Sequence, residues 1–263
     1  MKFFKGCLVV IFLFLIAAVL GLGYLGFIPG VSSLFGSDKP RNLGIAYIEA
    51  DRISARGKSK IEYGELPSNV APEVSIVLSG SREVKLELSS AEVLALMNNR
   101  PWKNYPYRDI QVKLNGDGSA EISGVFLKDK LAAYGAYLGA PKEAIDFAAK
   151  YLLANPVFYV KAKAALTDNK VSVFEPTAFE LGRMPLPVSA FLAFRPSLVG
   201  RAYAQSTDMI AELSKVENKR AFIVSFINQR LSRMTGFFAK SAYIAENKLV
   251  FDGTLPEKES TAR

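Results

Sequence analysis

The alternation of apolar and polar positions divides the chain into strand-like and helix-like stretches. Val84, Leu86 and Leu88 alternate with Lys85 and Glu87, the two-residue period of a strand with one dry face. Val74, Ile76 and Leu78 form a similar run before them, with a turn at Gly80-Ser81. At Ser89 the period lengthens. Val93, Leu94, Leu96 and Met97 make an apolar helical face, and Ser89-Ser90 followed by Glu92 is a capping arrangement. Asn98-Asn99-Arg100-Pro101 ends that helix, because the residue before a proline is pushed out of the helical region. Ile110, Val112 and Leu114 then alternate again. Asn115-Gly116-Asp117-Gly118 is a hairpin turn, and the return strand places Ala120, Ile122 and Gly124 on one face.

Residues 128–153 read as helical: Leu131, Tyr134, Tyr137 and Leu138 come first, and Pro141 opens a second helix. Val160, Ala162, Ala164 and Leu166 alternate with Lys161 and Lys163, Thr167-Asp168-Asn169-Lys170 turns the chain, and Val171 and Val173 lead back. Residues 188–234 are mostly helical, strongest in 219–234, where Phe222, Ile223, Phe226, Ile227 and Leu231 share a stripe. A last hairpin, Phe237–Ile244 and Leu249–Leu255, turns at Glu246-Asn247-Lys248. Residues 43–67 show no strong period; Ile45–Ile48 starts a short strand or leads into a helix through Glu49-Ala50-Asp51. Strands joined by short hairpins are antiparallel, and they do not alternate one-for-one with helices. The pattern predicts an α+β fold, a curved antiparallel sheet packed on several helices.

From Cys7 to Ile28 the chain carries no charge. As a helix these residues would cover about 33 Å at about 1.5 Å each, against a hydrocarbon core of about 30 Å. The expectation is an N-terminal transmembrane helix over 7–28. A cleaved signal peptide is the rival, with a shorter apolar region and a small-residue cleavage site. The implied organisation is a cytoplasmic tail (1–6), the transmembrane helix, a Gly/Ser/Pro-rich linker (29–42), an extracytoplasmic α+β domain (43–256) and a flexible polar tail (257–263). The implied location is the cell membrane, single-pass, with the N-terminus cytoplasmic.

Composition narrows the chemistry. There is no His and one Cys. Ser-His-Asp and Cys-His nucleophilic sites, histidine zinc sites and intramolecular disulfides are therefore excluded. No catalytic residue, metal site or cofactor is expected. The net charge of +8, from 33 basic and 25 acidic residues, reads either as solubility charge or as attraction to anionic lipid headgroups. Nucleic acid is not an expected partner of an extracytoplasmic domain.

Three segments, VKAKAALTDNKVSVFEPTAFELGRMPLP (160–187), LELSSAEVLALMNNRPW (86–102) and AENKLVFDGTLP (245–256), resemble a pattern in uncharacterised bacterial single-pass envelope proteins. Those proteins carry a domain similar to the tubular-lipid-binding superfamily. The resemblance implies a strongly curved antiparallel sheet wrapped around a long helix, with an apolar ligand groove. It carries no catalytic residues. The chain departs from it in that Pro141 and Pro156 interrupt the middle, so no single very long helix is visible.

The densest polar-aromatic cluster is Asn98–Tyr107. Trp102, Tyr105 and Tyr107 could form a stacking platform there, with Arg100 and Lys103 holding a phosphate or carboxylate. The plainer reading is a rigid loop with Trp102 plugging the core edge. Asp51, Glu92, Asp109, Asp117 and Asp168 sit at loops or caps, and no spacing pairs them for acid/base work. The expected function is noncatalytic binding of a lipid or other apolar envelope ligand, the alternative a scaffold or regulatory partner of a membrane protein complex.

Overall fold

The computed structural model describes residues 2–140, 142, 145–146, 150, 155–188 and 219–263, with side chains from residue 12 onward except at 219 and 222. Its helices are α1 (Lys2–Tyr24), α2 (Val31–Leu34), α3 (Glu49–Ser59), α4 (Ser90–Asn98), α5 (Leu131–Tyr137) and α6 (Lys219–Ser232). The first strands are β1 (Glu62–Leu66), β2 (Ile76–Ser79), β3 (Arg82–Ser89), β4 (Tyr107–Leu114) and β5 (Ser119–Phe126). They continue with β6 (Val157–Thr167), β7 (Lys170–Leu181), β8 (Met184–Leu186), β9 (Phe238–Ala245), β10 (Lys248–Leu255) and β11 (Lys258–Ala262).

A curled antiparallel sheet runs β3-β10-β9-β6-β5-β4 and is the frame of the molecule. Strand β6 carries β7 on one edge. Its other edge pairs with β5 through Val157–Lys163 and, farther along, with β9 at Leu166 and Thr167. One strand thus serves two neighbours in succession, which helps the sheet curl. Two hairpins are closed by two-residue turns, Asp168-Asn169 and Glu246-Asn247, all four residues at φ of 50 to 63°. Such turns match the strand twist, and Asp and Asn tolerate positive φ better than most side chains. The expected turns thus stand, with β10 beginning at Lys248.

The alternation in β3 is realised: Val84, Leu86 and Leu88 are buried while Lys85 and Glu87 face solvent. The register sets Leu86 opposite Phe251 and Leu88 opposite Leu249, so two strands pool their apolar faces. On the outer face Lys85 pairs with Asp252 at 3.0 Å and Lys248 with Glu87 at 2.8 Å. Helix α4 starts at the predicted capping box, with the Glu92 N–H donating to Ser89 Oγ (3.2 Å) and the Ser89 N–H to Glu92 Oε2 (2.8 Å). Its Leu94 packs against Ile110, Val112 and Leu114 of β4. Helix α6 docks on β7, where Asn228 Oδ1 accepts from the Val171 N–H at 2.7 Å.

A second, three-stranded sheet runs β1-β11-β2, with β1 and β11 parallel. Its central strand is the segment expected to be a frayed tail. Glu259 and Thr261 are buried there, and Ala262 is fully enclosed. The pairing partners lie far back in the chain, so local pattern carries no sign of them. The segment 43–67, without a clear period, supplies α3 and β1. The expected helices at 141–153 and 189–218 fall largely or wholly outside the described residues.

The expected transmembrane helix over 7–28 is overturned. Among the described residues no helix is long and apolar enough to cross a membrane. The helix stops at Tyr24, and Gly26 at φ 90° redirects the chain. The residues that follow are bound to the rest of the fold. The Leu25 carbonyl accepts from the Arg183 N–H at 3.0 Å, and Ser37 Oγ donates to the Tyr24 carbonyl at 2.6 Å. Gly182 sits so close to Leu25 that a Cβ on it would lie 1.8 Å from the carbonyl oxygen. The single-pass anchoring, the cell-membrane location and the orientation derived from that span fall with it. The expected linker is also part of the fold: the Arg41 N–H donates to Ser123 Oγ at 3.0 Å and its guanidinium pairs with Glu180 at 2.6 Å.

Candidate functional site

The five residues singled out in the sequence do not assemble into one binding platform. Trp102 is buried, its Nε1–H donating to Ser75 Oγ at 3.0 Å and its ring 5.0 Å from that of Tyr137. Tyr105 and Tyr107 meet edge to face at 5.5 Å, and Tyr107 also packs on Phe126, Tyr134 and Phe158. Burial pushes the Tyr105 hydroxyl up to about 12, Arg100 working against it. Burial and then the neighbouring Tyr134 raise Tyr107 further. These rings are a structural aromatic cluster. Lys103 donates to the Ser68 carbonyl. Arg100 lines a cavity.

That cavity, of 290 Å³, lies where the curled sheet meets α3, the end of α4 and the second sheet. Its floor is the pooled face of β3 and β10: Leu86, Leu88, Leu249, Phe251 and Leu255, with Leu96 of α4 closing one side. Phe237 stacks on Phe251 with ring centres 5.8 Å apart. The floor exists because alternation turns every second residue of both strands inward while their register aligns them.

The rim is cationic. Arg52 and Arg56 stand four positions apart on α3 and so share a helix face. Arg52 is held by Glu49, with Nε 2.8 Å from Oε2. Arg100 pairs with the buried Glu259 at 2.8 Å. Arg56 lies over the Tyr63 ring, 4.5 Å from guanidinium carbon to ring centre. Its Nε is buried without a hydrogen-bond partner among the described residues. Burial, then Glu259, raises the Tyr63 hydroxyl, with Arg100 and Arg56 opposing.

The two rim helices are joined by Glu92, whose side chain is 6% exposed. Its carboxylate accepts from Ser54 Oγ (2.5 Å) and Lys58 Nζ (2.6 and 2.8 Å), both on α3, besides the Ser89 N–H. Burial alone would push this carboxyl up; Lys58, Ser54 and Ser89 together hold it below the usual range. Glu92 is thus a brace behind the pocket. Of the other carboxylates considered, Asp51 accepts from the Ile48 N–H at 2.8 Å, and Asp117 from the Ser119 N–H at 2.9 Å. Asp109 pairs with its neighbour Arg108 at 3.0 Å, and Asp168 sits in a hairpin turn. They are scattered among caps and turns.

Sequence reasoning gave the two strands of the floor, one by its alternation and one as half of a hairpin, but neither their meeting nor the rim. The spacing of Arg52 and Arg56 was a legible signal. No family model, curated protein or solved structure matches the chain.

Proposed function

We propose that the domain binds an apolar ligand in the cavity over β3 and β10 and performs no chemistry on it. The observation that carries this reading is the cavity itself, a space of 290 Å³ against the inward apolar side chains of two paired strands. Ligand sites are typically concave, apolar and trimmed with a few polar groups, starting near 300 Å³. The carboxylate in its wall, Glu259, is engaged by Arg100 rather than free to move a proton. The resemblance to the tubular-lipid-binding pattern points the same way.

The expected affinity is modest. A chain of about ten methylenes gains roughly 8 kcal/mol on burial, against an association cost of at least about 4 kcal/mol. A net gain of about 4 kcal/mol corresponds to a Kd of about 1 mM, so binding is to be sought at high ligand concentration. The test is native mass spectrometry of the full chain, as isolated and after titration with decanol, beside Leu88→Trp, which fills the floor. Uptake by the unaltered chain and none by the variant is expected. A chain that stays bare at saturating decanol and decanoate would refute the reading.

A further inference from the structure

We infer that the occupant of this cavity is a single-chain amphiphile with an anionic carboxylate head, the head set against Arg56. The inference rests on the proposed apolar site and narrows it. Volume comes first. A methylene occupies about as much space as a water molecule, about 30 Å³, so a 290 Å³ cavity takes roughly ten chain atoms. That is about the room one medium-length chain needs.

Charge gives the head. Three guanidinium groups and one carboxylate line the cavity. Glu259 answers Arg100, and Glu49, outside the cavity, answers Arg52. Arg56 is left with an aromatic face as its partner and a buried Nε that has no acceptor among the described residues. Its Nε, with almost no accessible surface, is out of a ligand's reach, but the terminal amino groups share its charge and make no ion pair among the described residues, and a planar guanidinium is matched by a planar carboxylate through two parallel hydrogen bonds. An anionic head satisfies this group; a hydroxyl head satisfies it weakly, and a cationic head meets repulsion from Arg56, whose charge no carboxylate among the described residues answers. The arrangement places the head at the α3 side and the chain over Leu86, Leu249 and Phe251.

The test is calorimetric titration of the full chain with decanoate, decanol, decyltrimethylammonium and acetate. Decanoate is expected to bind at least tenfold more tightly than decanol, with no detectable binding of the ammonium or of acetate. Arg56→Gln should erase the preference for decanoate, with an unaltered circular dichroism spectrum and urea midpoint reporting an intact fold; Arg56→Lys, which keeps the charge but not the paired planar geometry, should keep part of it. Equal affinity for decanoate and decanol would overturn the anionic head and leave apolar binding standing. Acetate binding as tightly as decanoate would make the site an anion site only and overturn the amphiphile. A variant Arg56→Gln that keeps the full preference would overturn the role of Arg56. Binding of none of the four would sink this inference and the apolar site together.

Discussion

Replacing Glu92 should loosen the pocket from behind, by an amount that can be worked out from its bonds. Glu92→Ala removes three contacts at once. The helix-cap bond to the Ser89 N–H contributes about 1 kcal/mol. The bond from Ser54 Oγ to a buried charged carboxylate contributes about 1.5 kcal/mol. The Lys58 pair contributes about 0.5 kcal/mol, because the lysine side chain is 41% exposed and solvent screens it. The sum is about 3 kcal/mol, equivalent to a fall in Tm of about 9 °C for a domain of this size. Glu92→Gln keeps acceptors for Ser89 and Ser54 but gives up the charge, and should cost about 1 kcal/mol. Urea unfolding of the three proteins measures both values. The acid dependence supplies an independent check. The folded carboxyl is held below its ordinary value, so its contribution is complete above the unfolded pKa of about 4.5 and is lost as pH falls through the lower folded value. The gap between the unaltered chain and Glu92→Gln should therefore be constant near neutrality and close in acid. Losses below about 0.5 kcal/mol for both variants, or a gap that is independent of pH, would refute the brace.

The buried position of Trp102, the single tryptophan, predicts blue-shifted emission poorly quenched by iodide; readily quenched emission would return this residue to the surface platform that the structure denies it. Gly182→Val should release residues 25–28, because φ is 65° and a Cβ would collide with the Leu25 carbonyl. Faster chymotryptic cutting after Leu25 or Phe27, read by mass spectrometry, is the expected result, and cutting at the unaltered rate would refute the contact.

What the sequence revealed was local. The two-residue period of Val84, Leu86 and Leu88, the capping box at Ser89 and the polar turns at Asp168 and Glu246 each report on a few adjacent positions, and each appears as read. The curl of the sheet followed from hairpins joined in series. The rim as a whole was not legible: the spacing of Arg52 and Arg56 can be read locally, but their meeting with Arg100 and Glu259 joins separate regions of the chain. Periodicity cannot register such a meeting. Of the two readings of the aromatic cluster, the plainer one, a rigid loop with Trp102 at the core edge, agrees with its burial, but the cluster's partners, Tyr134, Tyr137 and Phe158, come from later elements that no local pattern could name. The apolar run near the N-terminus was judged by its length and lack of charge, and the hydrogen bonds that tie Tyr24 and Leu25 to Ser37 and Arg183 leave no trace in composition.

Strand β11 gives the molecule a particular order of assembly. It threads between β1 and β2, and its Glu259 reaches back 159 positions to Arg100. Contacts between such distant segments form slowly, since the chain entropy of closing the loop must be overcome before they add stability. During synthesis, β3 and α4 emerge long before the strand that completes the cavity wall. The site is therefore among the last parts to mature, and a chain stalled before residue 258 would present its apolar floor to whatever chaperone or neighbouring chain is at hand.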